Sequence, residues 1–263
     1  MTAQATIDML RSMKMSEMAA ELEKQLTDSA FGNLCFEERL NLLVTAEWNR
    51  RQNNKVVRLM RNAHFSSPNA AVEEIEYYED RKLDRAQMLR FSTCKFIEDG
   101  HHIILKGASG NGKTYIACAL GNAACRRFKS VRYVRMPELL DELNIARGCG
   151  DLQKTLKFYK KMDLLIIDEW LIRRLNPQES YDLLEIMEAR CGQNPNRSMI
   201  FCTQYETEGW YRRINPDPDS DSPISEAIMD RIIHNAYEVM VGGRISMRER
   251  HGLHGTEKSN TEK

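Results

Sequence analysis

The sequence contains no hydrophobic run long enough to cross a membrane. Its longest undiluted aliphatic stretch spans residues 164–167, whereas a spanning helix needs about 20 predominantly apolar residues. Residues 1–15 also lack the apolar segment that marks a secretory signal. These absences predict a cytoplasmic protein without a membrane partner.

Cysteine is sparse and shows no pairing pattern. The seven cysteines are scattered along the chain, their number is odd, and no two form a C-x-x-C pair. This pattern argues against a disulfide framework and against a zinc site, and it is typical of a reduced protein with buried thiols.

Neither sign of charge is in excess. Lysine plus arginine and aspartate plus glutamate both number 38, so bulk charge does not indicate a nucleic-acid partner and any such partner must be argued from local patches. A hydrophobic content of 42% supports a real core, and 263 residues allow one ordinary domain plus a smaller one.

What the sequence does contain is a phosphate-binding motif at residues 107–114, which fits G-x-x-x-x-G-K-[ST]. An apolar run precedes the motif and a helix-competent segment, residues 115–128, follows it, which disfavours a chance glycine-rich turn. Backbone N–H groups of such a loop cradle phosphates, Lys113 can reach the β- and γ-phosphates, and Thr114 can ligate Mg²⁺. We therefore predict nucleotide contacts from Gly107, Ala108, Ser109, Gly110, Asn111, Gly112, Lys113, Thr114 and Tyr115.

Two carboxylates end a second apolar run. Residues 164–167 are aliphatic and are followed by Asp168 and Glu169, which describes a buried parallel strand that delivers carboxylates at its C-terminal end. Asp168 is the expected Mg²⁺ ligand, and Glu169 is expected to polarise an attacking water. A third apolar run ends in Thr203 and Gln204, either of which can hold that water or start a turn.

The alternation of apolar strands with helices predicts a parallel sheet of the P-loop NTPase kind. No N-K-x-D or T-K-x-D stretch is present to recognise guanine, and Asp168 is not followed by x-x-Gly as a GTPase switch requires. The acid pair favours water activation, and hence ATP hydrolysis with Mg²⁺. A small-molecule P-loop kinase is disfavoured, because Glu169 and a helical front piece have no role there.

Residues 1–65 are predicted to form that helical front piece, with one helical pattern over residues 7–26 and a second helix over residues 36–62. The second helix ends in a basic stripe without an acid between its members. The stripe is either a phosphate-contacting surface for DNA or a solvated helix face, and composition does not separate the two. Its members are Arg50, Arg51, Lys55, Arg58 and Arg61.

A turn-rich break at residues 66–69 is the predicted domain boundary. An acidic stretch at residues 73–80 is expected to be an exposed connecting segment, and residues 83–97 show a helical pattern. The predicted division is a helical DNA- or partner-binding domain (1–65), an ATPase domain (66–251) and a disordered tail (252–263).

Two further segments carry a family resemblance. Residues 47–51 read Glu-Trp-Asn-Arg-Arg and residues 230–236 read Asp-Arg-Ile-Ile-His-Asn-Ala. Together with the phosphate loop and residues 164–169, they make the chain resemble the IstB family, the ATP-binding helpers of insertion-sequence transposition, which are similar to DnaC-type helicase loaders. The resemblance covers about residues 5–253 and implies an AAA+ fold: a parallel sheet flanked by helices, preceded by a small all-α domain.

The resemblance also implies how the site is completed. Arg231 matches the arginine finger that enters a neighbouring subunit's site, and Arg248 matches the sensor arginine that contacts the γ-phosphate within its own subunit. Arg244 stands where the family more often has an acid, so Arg244 remains a second candidate for the sensor. A homo-oligomer with ATP at subunit interfaces is the expected assembly.

The implied role is an ATP-dependent DNA-binding helper that oligomerises on double-stranded DNA, remodels or selects the target, recruits the transposase of the same insertion sequence, and disassembles on hydrolysis. The alternative is a replicative helicase loader of the DnaC type, which the ATPase core does not distinguish from a transposition helper.

Overall fold

The computed structural model describes residues 2–191, 197–215, 217 and 220–251. The chain forms two compact units, one from Met1 to Arg58 and one from Leu59 onward. Residues 59–65 therefore belong with the second unit. The functional division at residues 65 and 66 stays a prediction, and the predicted tail at residues 252–263 lies outside the described residues.

The first unit is helical. Helices α1 (Ala3–Ser12) and α2 (Ser16–Thr27) pack through Ile7, Leu10 and Ala19. The single pattern over residues 7–26 is thus divided, because Lys14 adopts a left-handed conformation with φ 58° and reverses the chain. That reversal lets the apolar faces of both helices meet.

A long helix follows. Helix α3 (Phe36–Ala63) confirms the predicted helix over residues 36–62, and it begins in the first unit and ends in the second. The Glu38 carboxylate accepts the Cys35 N–H at 2.9 Å, which satisfies one of the donors left open at a helix start.

The second unit is built on a parallel sheet. Its strands are β1 (His102–Lys106), β2 (Val131–Arg135), β3 (Leu164–Asp168), β4 (Ser198–Thr203) and β5 (Ala236–Met240), in the spatial order β2-β3-β4-β1-β5. Every residue of β1, β3 and β4 is buried, because helices cover both faces. Strands buried on both faces are the reason these segments are continuous apolar runs.

Helices cover the two faces with separate cores. One core joins Ile103 and Leu105 to the helix after the phosphate loop, and the other joins Ile104 and Ile167 to helices on the opposite face. The helices of the unit are α4 (Arg85–Ser92), α5 (Lys95–Glu98), α6 (Lys113–Arg126), α7 (Met136–Gly148), α8 (Leu152–Lys161), α9 (Pro177–Cys191), α10 (Tyr211–Ile214), α11 (Pro223–Ile233) and α12 (Met247–Arg250).

Three features differ from the sequence-based expectation. The helical pattern over residues 83–97 is divided into α4 and α5, because Cys94 between them is left-handed with φ 60°. Helix α9 was not predicted, although Asn176 and Glu179 form a reciprocal capping box at its start. The expectation of an exposed segment at residues 73–80 is wrong in part, because Ile75 in the middle of it is buried in the core.

Within the described residues, no helix is both long enough and apolar enough to cross a membrane.

Candidate active site

The phosphate loop connects the end of β1 to the start of α6, whose first residue is Lys113. Gly110 and Gly112 have φ values of 83° and 88°, which residues with a side chain rarely adopt. Gly107 must be glycine for a steric reason, since a Cβ there would lie 2.2 Å from the Val241 carbonyl oxygen. The loop backbone can therefore take the form that turns N–H groups toward a phosphate.

Lys113 lies folded over the loop. Its Nζ donates to the carbonyls of Gly107 at 2.7 Å and Ala108 at 2.9 Å. Burial lowers the pKa of Lys113 from its usual value. Exchanging these two carbonyls for phosphate oxygens would provide the ammonium group with charged partners, which form stronger hydrogen bonds.

Asp168 is buried at the C-terminal end of β3 and accepts three hydrogen bonds. Thr114 Oγ1 donates to Oδ2 at 2.6 Å, Tyr133 Oη donates to the same oxygen at 2.8 Å, and the Glu169 N–H donates to Oδ1 at 2.8 Å. Burial and the adjacent Asp168 charge raise the pKa of Tyr133, so the phenol stays a donor. Tyr133 was missed by the sequence reasoning, because its role depends on β2 lying next to β3.

The hydroxyl of Thr114 and the carboxylate of Asp168 are a chemical fit for Mg²⁺. This ion prefers hard oxygen ligands, and protein sites usually supply one or two, with substrate phosphates and water completing the octahedron. The described residues hold no cluster of three or more His, Cys, Asp or Glu side chains that could bind a metal. A Mg²⁺ ion at this site would therefore depend on the phosphates of a bound nucleotide.

Glu169 is paired with an arginine. Arg135 Nη2 donates to both carboxylate oxygens of Glu169, at 2.9 and 2.7 Å, and these bonds raise the pKa of Arg135. Glu169 itself has a left-handed backbone with φ 54°, a strained conformation for a residue with a side chain. Arg135 ends β2 in register with Asp168, so only the strand order reveals that it reaches Glu169.

The two residues at the end of β4 are in different states. Thr203 is buried, and its hydroxyl donates to the Trp170 carbonyl at 3.2 Å and accepts the Tyr205 N–H at 3.1 Å. Gln204 is exposed and, together with Lys113, lines a small cavity of about 130 Å³. The Thr203 hydroxyl is thus engaged in a turn, and the Gln204 amide donates to Tyr205 Oη at 3.4 Å, while both residues line the same cavity.

A larger cavity of about 710 Å³ brings the predicted residues together. Its walls include Lys113, Thr114, Asp168, Glu169 and Arg248. The C-terminal segment thus delivers Arg248 to the cavity. By contrast, the backbone N–H of Arg244 donates to Asp80 at 2.8 Å, and Arg244 does not line this cavity among the described residues.

The segment expected to be an exposed connector instead supports the phosphate loop. Arg81 is buried, and its Nη2 donates to the Asn111 carbonyl at 2.8 Å while its own carbonyl accepts the Gly242 N–H at 2.9 Å. Arg250 Nη2 donates to both carboxylate oxygens of Asp80, at 2.9 and 2.8 Å. Residues 80 and 81 therefore hold the C-terminal segment against the loop. The acidic composition of this part of the chain did not predict that contact.

A third cavity, of about 390 Å³, lies beside the phosphate loop. Ile75, Gly112, Tyr115 and Met247 are among its lining residues, and the Tyr115 hydroxyl donates to Glu74 at 2.9 Å. Apolar and aromatic walls suit a planar base, and this cavity adjoins the predicted contact residue Tyr115.

Arg231 lines neither of the two cavities that Lys113 lines. It is partly exposed on α11, donates to the Ala227 carbonyl at 2.8 Å, and pairs with Glu188 at 3.1 Å. The chain therefore does not bring Arg231 to its own phosphate loop.

The basic stripe of α3 is mostly exposed. Arg50 and Arg51 both donate to Glu47, one turn earlier in the helix. Arg51, Lys55, Arg58 and Arg61 are exposed, and Arg50 is half-buried. A second basic stripe, which the sequence reasoning missed, lies on α8. Lys154, Lys157 and Lys161 are exposed there at i, i+3 and i+7, and the helix contains no acid.

Comparison with known proteins gives one family. The family model described as "IstB-like ATP binding protein" matches residues 8–255. The chain is 34% identical to the insertion-sequence ATP-binding protein y4pL of Sinorhizobium fredii, over 92% of this chain and 96% of that protein. It is 36% identical to the ATP-binding protein of insertion sequence IS1162 of Pseudomonas fluorescens, over 78% and 87% of the two chains.

Solved structures agree on the fold. The crystal structure of DnaI is similar with a TM-score of 0.58 and 21% identity, covering 73% of this chain and all (100%) of that one. The crystal structure of the DnaC helicase loader has a TM-score of 0.51 and 20% identity, covering 66% and 97%. At these identities the likeness shows the fold alone, and it confirms the predicted parallel sheet flanked by helices.

Proposed function

The chain belongs to the IstB-like family of insertion-sequence ATP-binding proteins, and on that premise we propose that it hydrolyses ATP and assembles on double-stranded DNA as a helper of transposition. The observation that carries the proposal is one cavity lined by Lys113, Thr114, Asp168, Glu169 and Arg248. These side chains supply the parts that phosphoryl transfer to water requires: phosphate binding, a metal ligand pair and a base.

Binding would begin at the phosphate loop. The loop N–H groups and the start of α6 receive the phosphates, Lys113 leaves the two carbonyls for the β- and γ-phosphates, and the cavity beside Tyr115 receives the base. Thr114 and Asp168 would hold Mg²⁺, which when bound neutralises charge that develops on the phosphate oxygens.

Glu169 is proposed as the residue that polarises the attacking water, assisted by Gln204. Its carboxylate is occupied by Arg135, so hydrolysis requires that this ion pair opens or turns. ATP can then be held before it is hydrolysed, which suits a protein that uses ATP as an assembly signal.

Two arginines are proposed to complete the site. Arg248 would contact the γ-phosphate from within the subunit, since it already lines the cavity. Arg231 would act on a neighbouring subunit, since it is displayed on α11 outside that cavity. Each would place a bidentate cation where negative charge must be balanced, and the second implies a homo-oligomer.

DNA contact is proposed through exposed basic stripes. Lys55, Arg58 and Arg61 on α3 form one stripe, and the three exposed lysines of α8 form another. Such stripes bind phosphates without reading sequence, as a helper that accepts many targets requires. The transposase of the same insertion sequence is the proposed partner in the cytoplasm, supported by the insertion-sequence origin of the relatives.

The test is to measure phosphate release and duplex binding together. We expect ATP hydrolysis to free phosphate, and duplex binding to require ATP and intact Lys113. Binding to a replicative helicase without binding to duplex DNA would replace the proposal with the loader function, and transfer of phosphate to a metabolite would indicate a kinase.

A further inference from the structure

Tyr133 connects strand β2 to the two residues that fit Mg²⁺. It is 6% exposed and packs in the core that β2 shares with α6, and its Oη donates to Asp168 Oδ2 at 2.8 Å. A buried tyrosine hydroxyl usually finds some hydrogen-bond partner. The identity of this partner is the informative part, because Oδ2 is also the oxygen that accepts from Thr114.

The strand register explains why a tyrosine reaches this oxygen. In the parallel pair of β2 and β3, Tyr133 is opposite Ile166 and Arg135 is opposite Asp168. Residues two apart on a strand share one face and lie about 6.6 Å apart, so only a long side chain at residue 133 can reach the carboxylate. Tyr133 also lines the cavity of about 710 Å³, and its phenol therefore belongs to the candidate site.

The hydrogen bonds to Asp168 use most of its acceptor capacity. An ionised carboxylate has about four lone-pair sites. Thr114 and Tyr133 fill both sites on Oδ2, and the Glu169 N–H fills one on Oδ1. Cys202 is a further neighbour, with a thiol that is only a weak donor. Asp168 can therefore offer a cation one strong contact, through Oδ1.

A single contact suits one divalent cation better than another. Ca²⁺ takes about six to eight oxygen ligands and often binds a carboxylate through both oxygens, whereas Mg²⁺ takes an octahedral set with one or two protein oxygens. Binding through both oxygens of Asp168 needs a free lone pair on Oδ2. Of the two donors there, Thr114 is itself a candidate ligand, so Tyr133 is the residue that keeps Oδ2 closed.

We propose that Tyr133 is a positioning residue that makes the site select Mg²⁺ over Ca²⁺, because its phenol holds Asp168 Oδ2 and leaves only Oδ1 for a cation. This role rests on the proposed function, since the cation is the one that accompanies ATP. It goes further by assigning the choice of cation to a residue of β2, outside the phosphate loop. Removal of such an outer partner typically changes metal affinity by about 10–100-fold.

The test measures how strongly each cation improves nucleotide binding at equilibrium. The affinity of the full chain for a fluorescent, non-hydrolysable ATP analogue is determined in EDTA, in excess Mg²⁺ and in excess Ca²⁺. The affinity with a cation, divided by the affinity in EDTA, gives an enhancement for that cation. Hydrolysis does not enter this measurement.

Tyr133→Phe removes the hydroxyl and keeps the ring in the core. The matched control is Tyr159→Phe, because Tyr159 is fully buried and its phenol also donates to a carboxylate, that of Glu142. Tyr159 lies on α8, in the core on the other face of the sheet, and lines neither cavity that Lys113 lines.

We expect the Mg²⁺ enhancement to exceed the Ca²⁺ enhancement at least about tenfold in the wild type and in Tyr159→Phe. In Tyr133→Phe the Mg²⁺ enhancement should fall about tenfold, the Ca²⁺ enhancement should stay or rise, and the affinity in EDTA should change by less than about twofold. An unchanged ratio of the two enhancements in folded Tyr133→Phe would overturn the proposal. A wild type that does not distinguish the two cations would overturn it as well.

A double variant tests whether Tyr133 acts through Asp168. Asp168→Asn removes the carboxylate that the phenol holds, so adding Tyr133→Phe should change the ratio of enhancements by less than about twofold. A further change as large as the one in the wild-type background would contradict the role of the phenol as a positioning group.

Failure of this role and failure of the proposed function give different results. Phosphate release and duplex binding by the wild type, with a cation ratio that Tyr133→Phe leaves unchanged, would remove only the role of Tyr133. A Mg²⁺ preference that Tyr133→Phe abolishes, in a wild type that releases no phosphate from ATP, would instead support that role and contradict the proposed hydrolysis.

Discussion

At the scale of single residues, the site places two adjacent carboxylates in different environments. Asp168 is buried and accepts hydrogen bonds from Thr114 and Tyr133, whereas Glu169 has a left-handed backbone and is held by Arg135. The first environment suits a fixed metal ligand. The second suits a base that must be released before it acts.

Glu169→Gln should retain nucleotide binding and lose hydrolysis by at least about 100-fold, the usual contribution of a positioned general base. Turnover of ATP and the affinity for a fluorescent ATP analogue check this. Glu138→Gln is the matched control, because Glu138 also contacts Arg135, at 3.5 Å, without sharing the proposed role. Normal turnover in Glu169→Gln would remove the residue from its role.

Arg135→Gln should free Glu169 and raise basal hydrolysis. The increase should be at most about fivefold, because an exposed ion pair contributes about 0.2–1 kcal/mol. Single-turnover hydrolysis at saturating ATP measures it. A loss of hydrolysis with binding unchanged would instead make Arg135 a required cation of the reaction.

His102 should make stability depend on pH. It is fully buried, and burial lowers its pKa from 6.5 to about 4. Between these values the unfolded chain binds more protons than the folded one, so stability falls as the pH falls, by about 2 kcal/mol at pH 5 from this residue.

Urea unfolding of the wild type and His102→Asn between pH 7 and pH 5 measures this effect. Asparagine keeps an acceptor for the Met199 N–H, which now donates to His102 Nδ1 at 3.3 Å. The variant should lose less stability on acidification, and parallel curves for the two proteins would contradict the assignment.

At the scale of elements, local patterns were predictable and non-local contacts were not. The phosphate loop and the strand ending in Asp168 follow from contiguous residues, because a strand buried on both faces must be apolar. Arg81, Arg135 and Tyr133 could not be found this way, since each reaches the site from an element that is distant in sequence. Single left-handed residues such as Lys14, which divide helices, also leave no clear pattern.

The two basic stripes give a prediction for DNA binding. Charge reversal of Lys55, Arg58 and Arg61, or of the three exposed α8 lysines, should weaken duplex binding. It should also reduce the slope of log affinity against log salt by roughly one for each phosphate that the protein no longer neutralises. The control reverses Lys24, Lys82 and Lys95, which are exposed outside both stripes. An unchanged slope would identify that stripe as a solvated helix face.

At the scale of the whole molecule, we propose that the nucleotide site is completed by a neighbouring subunit. The cavity holds Arg248 but not Arg231, and Arg231 is displayed on α11 beside Glu188. The family resemblance implies this division of roles between Arg248 and Arg231, which stays a prediction. The assembly itself could not be predicted from the sequence, because contacts between subunits leave no recognisable pattern in the sequence of one chain.

Mixing two inactive variants tests completion in trans. Arg231→Ala subunits keep the phosphate loop, and Lys113→Ala subunits keep the finger. In an equal mixture, about a quarter of head-to-tail interfaces should combine the intact halves, and that fraction of wild-type turnover should return. Turnover no higher than that of either variant alone would argue that Arg231 acts within its own chain.

We propose that ATP switches assembly of this chain on DNA. Electron microscopy of the protein with duplex DNA and a non-hydrolysable ATP analogue tests it most directly. We expect ordered oligomers on the duplex that are absent without nucleotide and absent with Lys113→Ala. Bare duplex beside unassembled protein in the presence of the analogue, or the same oligomers with Lys113→Ala, would contradict it.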